Sequence, residues 1–335
     1  MYLSYINLFR AIATLFVVFN HSIHGLQWGV TYGNDEIARL LKIMFSNGAF
    51  FFVFIAGFIF QHLLYKYDYW KYVKSRFMLV ILPYLVVSIP AVVAWVFLFK
   101  KSALGIPPGF YDDPWWYRVG YLYATGLHMA PLWFIPMIAM FYVLSPVFKF
   151  IDRYPWLYVT LPLLIIISYE YPRHWNPALQ LIHFFPIYIL GMAASRYKDQ
   201  VVDWGWKLRY ALFLGFVGFV CYEWFFMHTK QSFMNYMNKM CLSFLFLAIL
   251  AHYADRPLKW LTWFASINFG VFFLHTYANA GLKILFAGGP ARSLPIEGNV
   301  LLQFIYFGVV VALSIIGVLI VKKLTGKYSK YIVGA

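Results

Sequence analysis

The feature that most constrains this chain is the recurrence of apolar segments long enough to cross a bilayer. The hydrocarbon core takes about 20 residues of helix, and within it only helices or closed barrels satisfy every backbone polar group. Runs of about 17 to 25 predominantly apolar residues occur ten times, at 6–23, 43–64, 77–99, 131–150, 156–170, 178–195, 208–227, 234–252, 260–280 and 299–321. The run at 156–170 is the short one. The expectation is an all-α, polytopic integral membrane protein of about ten transmembrane helices. Residues 1–335 form a single membrane domain in this reading, with no appended soluble domain.

Composition excludes the main alternatives. Only 12% of the residues are charged and 63% are hydrophobic, whereas soluble domains are charged at about a quarter of positions. The net charge of +15 lies in Lys and Arg between the apolar runs and not in a patch with nucleic-acid motifs, so nucleic acid is not a partner. Membrane lipids, topology and an anionic substrate account for the charge. Sixteen Lys and Arg fall after the even-numbered segments and in the C-terminal tail, against ten on the other face, with Arg10 left aside. By the positive-inside rule both termini are cytoplasmic. Cys221 and Cys241 fall inside apolar runs, which is no disulfide framework. No His/Cys group has zinc spacing, so no metal is expected. The first run follows an arginine as a signal peptide does, yet no small-residue cleavage site follows His21, and it stays as the first helix.

That first helix holds an arginine and a histidine around the run Ala11 to Phe19. Eleven helical residues at about 100° each return to within about 20°, so Arg10 and His21 share a face, roughly 16 Å apart along the axis. Ionisable residues at membrane depth face the protein interior or a water-filled cavity. Arginine suits phosphate and histidine suits proton transfer. One face of one helix can therefore hold both ends of a long, phosphate-bearing donor, provided that a single continuous cavity joins them.

The orientation places His21, His24, His128, His174, His183, His228 and His275 at or beyond outer helix ends, and only His62 and His252 at inner ends. Glu223 also falls near an outer end, where a carboxylate can orient an imidazole. The longest loop, Lys100 to about Ala130, carries Asp112-Asp113-Pro114 and Trp115-Trp116-Tyr117. Rings beside carboxylates suit a carbohydrate surface, and they equally suit an interfacial aromatic belt.

Several stretches taken together resemble one known family. Leu8-Phe9-Arg10-Ala11-Ile12-Ala13 through Val17-Val18-Phe19-Asn20-His21 is similar to the opening signature of the membrane-bound acyltransferase family 3, with the same Arg-to-His spacing. Gly48 to Ile59 resembles its Phe-rich second stretch, with Ala56 in place of the usual serine. Tyr72-Val73-Lys74-Ser75-Arg76 followed by Leu82-Pro83-Tyr84 resembles its basic entrance to the third helix, with Val80 where many members carry a second arginine. Leu132-Trp133-Phe134-Ile135, Phe184 to Met192 and Ser266 to His275 resemble later elements, in the family's order.

The resemblance implies an acyl-CoA co-substrate, acetyl-CoA or another such as succinyl-CoA, supplied from the cytoplasm. It also implies a glycan acceptor and, as neighbours, a polysaccharide synthase or export machinery. The location it implies is the bacterial inner membrane. Mapped onto this chain, Arg10, Arg76 and Lys74 meet the donor's phosphates. His21 is the candidate general base, with Asn20 and His275 assisting, while Ser22 satisfies backbone groups. Trp133, Glu223, Asp112 and Trp115 are candidates for contact with the acceptor. A transporter or exporter of polysaccharide or lipid-linked sugar is the alternative class, because kinking prolines and intramembrane polar groups suit alternating access too.

Overall fold

The computed structural model describes residues 3–29, 33–98, 105–170, 176–226, 233–256, 258–290 and 292–335. His174 and His228 lie outside these residues. Among them the only β-structure is an isolated parallel bridge between Gln27 and Glu297. The rest is helix and turn.

Seven helical stretches are long and apolar enough to cross a membrane. They are Ser4–Gly25, Asp35–His62, Tyr69–Leu98, Pro177–Arg196, Arg209–Phe226, Phe233–His252 and Val300–Ile332. An eighth span results if α7 (Phe134–Val143) and α8 (Ser145–Arg153), bent by 56° at their junction, are taken together. Seven or eight spans stand against the ten expected: the described parts of the ten segments are largely helical, but the second is interrupted at 46–48, the fourth is the bent α7–α8 pair, and two more depart from a simple span. The fifth is apolar but short, Pro155–Ser168. The ninth is broken into α14 (Lys259–Ala265) and α15 (Asn268–Ala287), and α15 carries Asn268, His275, Asn279 and Lys283.

The opening helix, α1 (Ser4–Ser22), is central, packing against α2 (Asn34–Phe45), α3 (Ala49–His62), α13 (Phe233–His252), α14, α15 and α16 (Val300–Thr325). Phe9, Ala11, Ala13, Thr14 and Val18 of α1 are wholly buried. A helix buried nearly all round has no lipid-facing stripe, so its polar groups must be housed by neighbours. Ser22 Oγ donates to the Phe19 carbonyl at 2.7 Å and accepts from Gln303 Nε2 at 2.8 Å, the backbone-satisfying role expected of it.

The tightest crossing joins α3 to α10 (Pro177–Arg196). Gly57 lies against the backbone carbonyl of Tyr188, and Gly191 against that of Phe54. A Cβ on either glycine would collide with the facing oxygen. Lipid tails are as apolar as leucine, so helices in a bilayer associate through such close approach and not through the hydrophobic effect.

The second span is broken between α2 and α3 at Ser46-Asn47-Gly48, and α13 repairs the break. Fully buried Lys239 donates through Nζ to the carbonyls of Ile43 (3.1 Å) and Met44 (2.8 Å) and to Asn238 Oδ1 (2.8 Å). Asn235 Nδ2 donates to Ile43 O and Ser46 Oγ. The last carbonyls of a helix have no partner of their own. Here Lys239, from α13 far along the chain, supplies one.

At one end of the bundle, Arg196 pairs with Asp152 at 2.9 Å, tying α10 to α8, and the Tyr158 hydroxyl donates to the same carboxylate. At the other end, the strand-like loop at 292–299 is laid against the exit of α1. Leu294 N donates to Gly25 O and Gln27 N to Ile296 O.

Two substitutions test this packing. Lys239→Ala removes the donor to the Met44 carbonyl and to Asn238 Oδ1, while Asn235 still serves Ile43; at about 1–3 kcal/mol for each buried group left unsatisfied, it lowers the thermal midpoint of the detergent-solubilised protein. Gly57→Ala costs on the order of 1–3 kcal/mol through overpacking and lowers it as well, whereas Gly218→Ala, whose Cβ meets nothing within 4 Å, leaves it unchanged.

Candidate active site

Because α1 is continuous from Ser4 to Ser22, Arg10 and His21 stand about 16 Å apart on one helix. Each lines a chamber. The arginine chamber, about 290 Å³, is walled by Arg10, by Phe52, Ala56 and Ile59 of α3, by Tyr72 and Arg76, by Phe134, Ile138 and Tyr142 of α7, and by Asn268 and Phe269. The C-terminal turn closes one side with Lys330 and Gly334. The histidine chamber, about 50 Å³, is walled by Val17, Asn20 and His21 of α1, by Asn47 and Gly48, by Pro131 and Trp133, and by Phe272. Phe52 and Phe134 belong to both. The single continuous cavity expected from the sequence is thus two adjoining chambers, divided where aromatic rings meet.

The inward aim of Arg76 follows from its helix. Pro83 has no N–H to give the Leu79 carbonyl, and the turn Phe77–Ile81 widens to a π-helix just before it. Arg76, Leu79 and Val80 all reach the chamber wall. The Arg76 guanidinium lies over the rings of Tyr72 (5.1 Å) and Tyr142 (5.9 Å), an arrangement that holds a cation in an aromatic wall. Arg10 Nη1 is 3.5 Å from Asn7 Oδ1. Ala56 and Val80, where this chain departs from the motifs it resembles, both line this same chamber.

Behind the wall of the histidine chamber a second imidazole meets the first. The His21 and His275 rings lie 5.5 Å apart, tilted by 39°. His275 is wholly buried, and its Nδ1 is 2.7 Å from the Phe272 carbonyl. A carbonyl accepts only from N–H, so in the neutral ring Nε2 is left as the lone-pair nitrogen. That Nε2 has no hydrogen-bond partner among the described residues. The backbone of His21 is fixed from behind, since Asn279 Nδ2 donates to its carbonyl and Tyr306 donates to Asn279 Oδ1.

Asn47 is a wall residue that sequence reading passed over. It is the one non-glycine with positive φ among the described residues, at 59°, and its Oδ1 is buried with no partner there. Asparagine tolerates the left-handed region better than other side-bearing residues, and the Asn47-Gly48 pair between two apolar runs is the signal that could have found it.

The predicted site residues divide cleanly. Arg10 and Arg76 share one chamber, Asn20, His21 and Trp133 share the other, and His275 stands behind His21. Four others line neither. Lys74 is exposed, because two residues before Arg76 is about 200° around the helix. Glu223 is buried on α12 (Arg209–Phe226), which packs against α13 and α2. Asp112 sits in a turn closed onto Gly109, and Trp115 is 58% exposed at the start of α6 (Trp115–Thr125). Two further histidines, His183 and His128, bond backbone carbonyls of the fold. His183 Nδ1 bonds the Ser168 carbonyl. His128, between α6 and α7, bonds the Leu122 carbonyl, and burial pushes its pKa down to about 4.

Cations line one chamber and an imidazole the adjoining one, within the apolar helices of a multi-pass membrane protein. A family model described as an acyltransferase domain matches residues 3–319. The chain belongs to acyltransferase family 3, and it is a membrane acyltransferase. No curated protein and no solved structure matches it. Lys330 lies beyond the matched residues.

The backbone at Asn47 sets its own test. Asn47→Gly keeps the unfolding midpoint, whereas Asn47→Ala lowers stability by about 1 kcal/mol, the cost of a left-handed alanine, read by thermal unfolding of the two variants side by side.

Proposed function

We propose that the protein moves an acyl group, acetyl foremost, from an acyl-CoA to a hydroxyl of a cell-surface or secreted glycan. The observation that carries this reading is the placement of Arg10 and His21 on one helix in adjoining chambers. Their spacing of roughly 16 Å is on the order of a pantetheine arm. The arginine end faces the cytoplasm in this reading, with both termini, as the excess of Lys and Arg there supports. The membrane is then the bacterial inner membrane, and a polysaccharide synthase or exporter is the natural source of acceptor.

Arg10, Arg76 and Lys330 bind the donor's phosphates, the guanidinium forks engaging oxygens in pairs. The thioester lies at His21. One nitrogen of His21 takes the proton of the acceptor hydroxyl as its oxygen attacks the thioester carbonyl carbon. The C–O bond forms, the C–S bond breaks, and the proton passes from His21 to the departing thiolate. In this reading His275 Nε2, left as the lone-pair nitrogen by its bond to Phe272 and without a partner among the described residues, accepts the other His21 N–H once substrate is bound and so holds the tautomer. Asn20 donates to the carbonyl oxygen as charge develops on it. Trp133 offers an aromatic wall against which a sugar face packs.

In proteoliposomes, His21→Ala loses about 10²- to 10⁴-fold in transfer, the usual worth of a general base, with donor affinity retained. Wild-type turnover in that variant defeats the assignment. Arg10→Ala weakens acyl-CoA binding by isothermal titration, and Arg10→Lys recovers part of it because a point charge lacks the fork. Lys330→Ala weakens binding less, and its loss shrinks in high salt because the group is exposed and screened.

A further inference from the structure

The two chambers meet at a cluster of three phenylalanines, each from a different helix. Phe52 stands in the first turn of α3, Phe134 at the first residue of α7, and Phe272 in the second turn of α15. Their ring centroids are mutually close, at 5.8 Å for Phe52 to Phe134, 5.6 Å for Phe52 to Phe272 and 6.1 Å for Phe134 to Phe272. Phe52 and Phe134 are the two residues lining both chambers, and Phe272 lines the histidine chamber alone. Phe134 and Phe272 are buried, at 7% and 3% exposure, while Phe52 is partly open.

We propose that Phe52 and Phe134, braced by Phe272, form a gate which the donor's arm must part to bring its thioester from the arginine chamber to His21, and whose clearance limits the size of acyl group admitted. The proposal rests on the acyltransfer reading above. Three observations support it. The cations and the imidazole pair lie on opposite sides of the cluster, so no donor reaches both without passing between rings that now touch. A hydrophobic constriction closes a polar path by excluding water, and a dry histidine chamber protects a thioester from hydrolysis. The third ring is tied to the chemistry, since the Phe272 carbonyl accepts the His275 Nδ1–H. The histidine chamber beyond the gate is only about 50 Å³, room for a few water-sized groups at about 10–15 Å³ each by the same kind of measure. A two-carbon acyl group suits that space.

The experiment uses full-length protein in proteoliposomes, with acetyl-, butyryl- and hexanoyl-CoA. It measures donor affinity, transfer to the glycan acceptor and acceptor-free thioester hydrolysis, with thermal unfolding as the control for folding. Phe52→Trp and Phe134→Trp narrow the gate. Transfer of acetyl falls by about tenfold or more, as for other steric changes at a fitted pocket, while acetyl-CoA affinity stays within about twofold. Phe52→Ala and Phe134→Ala join the chambers. Acceptor-free hydrolysis rises and hexanoyl transfer gains on acetyl transfer. Wild-type acyl preference and hydrolysis in the alanine variants overturn the gate, and so does a tryptophan variant that loses affinity and transfer together, because the rings would then belong to the donor site. Where a tryptophan variant fails to fold, the alanine variant at the same position decides. Wild-type protein that neither binds acyl-CoA nor transfers from it would remove the acyltransfer reading itself, a result distinct from a functional enzyme indifferent to these rings.

Discussion

An arginine and a histidine on one membrane helix cannot both be left to lipid, and the architecture follows from that. Charged or titratable side chains at membrane depth are costly unless they face protein or a cavity. Here α1 is surrounded by six other helices, and its two ionisable residues open onto chambers that those helices wall. Burying α1 removes any lipid-facing stripe and forces its neighbours into close contact. The glycines at the α3–α10 crossing, the polar face of α13 and the cap of loop 292–299 over the end of α1 all serve that enclosure.

The site is built where helices are interrupted. Asn47 sits in the break between α2 and α3, Arg76 precedes a π turn, Trp133 and Phe134 begin α7, and Asn268 begins α15 after the break from α14. Irregular backbone at membrane depth is tolerated only where protein or a cavity satisfies it. Each interruption frees backbone groups and turns side chains away from the regular helical stripe. Lys239 illustrates the compensation needed, since two of its three hydrogen bonds go to carbonyls at the α2–α3 break. Membrane transporters use broken helices similarly for binding, and here the breaks assemble a path along a single helix.

Chemistry is thereby separated along the axis of α1. Cations gather at one end, where Tyr72 and Tyr142 hold Arg76 in place. Imidazoles gather at the other, where backbone bonds set the tautomer of His275. Aromatic rings lie between. Under the proposed acyltransfer, a charged head and a reactive tail of one molecule would occupy different environments, the first electropositive and the second small.

From its residues alone the chain is legible as an all-helical membrane protein, because apolar run length answers directly to bilayer thickness. The pairing of Arg10 with His21 is legible too, since helical periodicity is a local property of eleven residues. Tertiary structure decided what spacing cannot carry. Lys74 and Arg76 look alike in sequence, yet a rotation of about 200° sends one to the surface and the other to the chamber. Glu223, Asp112 and Trp115 carry suitable chemistry on elements that pack elsewhere, while Lys330 arrives from the far end of the chain. Phe52, Phe134 and Phe272 are indistinguishable from dozens of other apolar residues until three helices bring their rings together, because which aromatic divides a cavity depends on long-range packing and on nothing local.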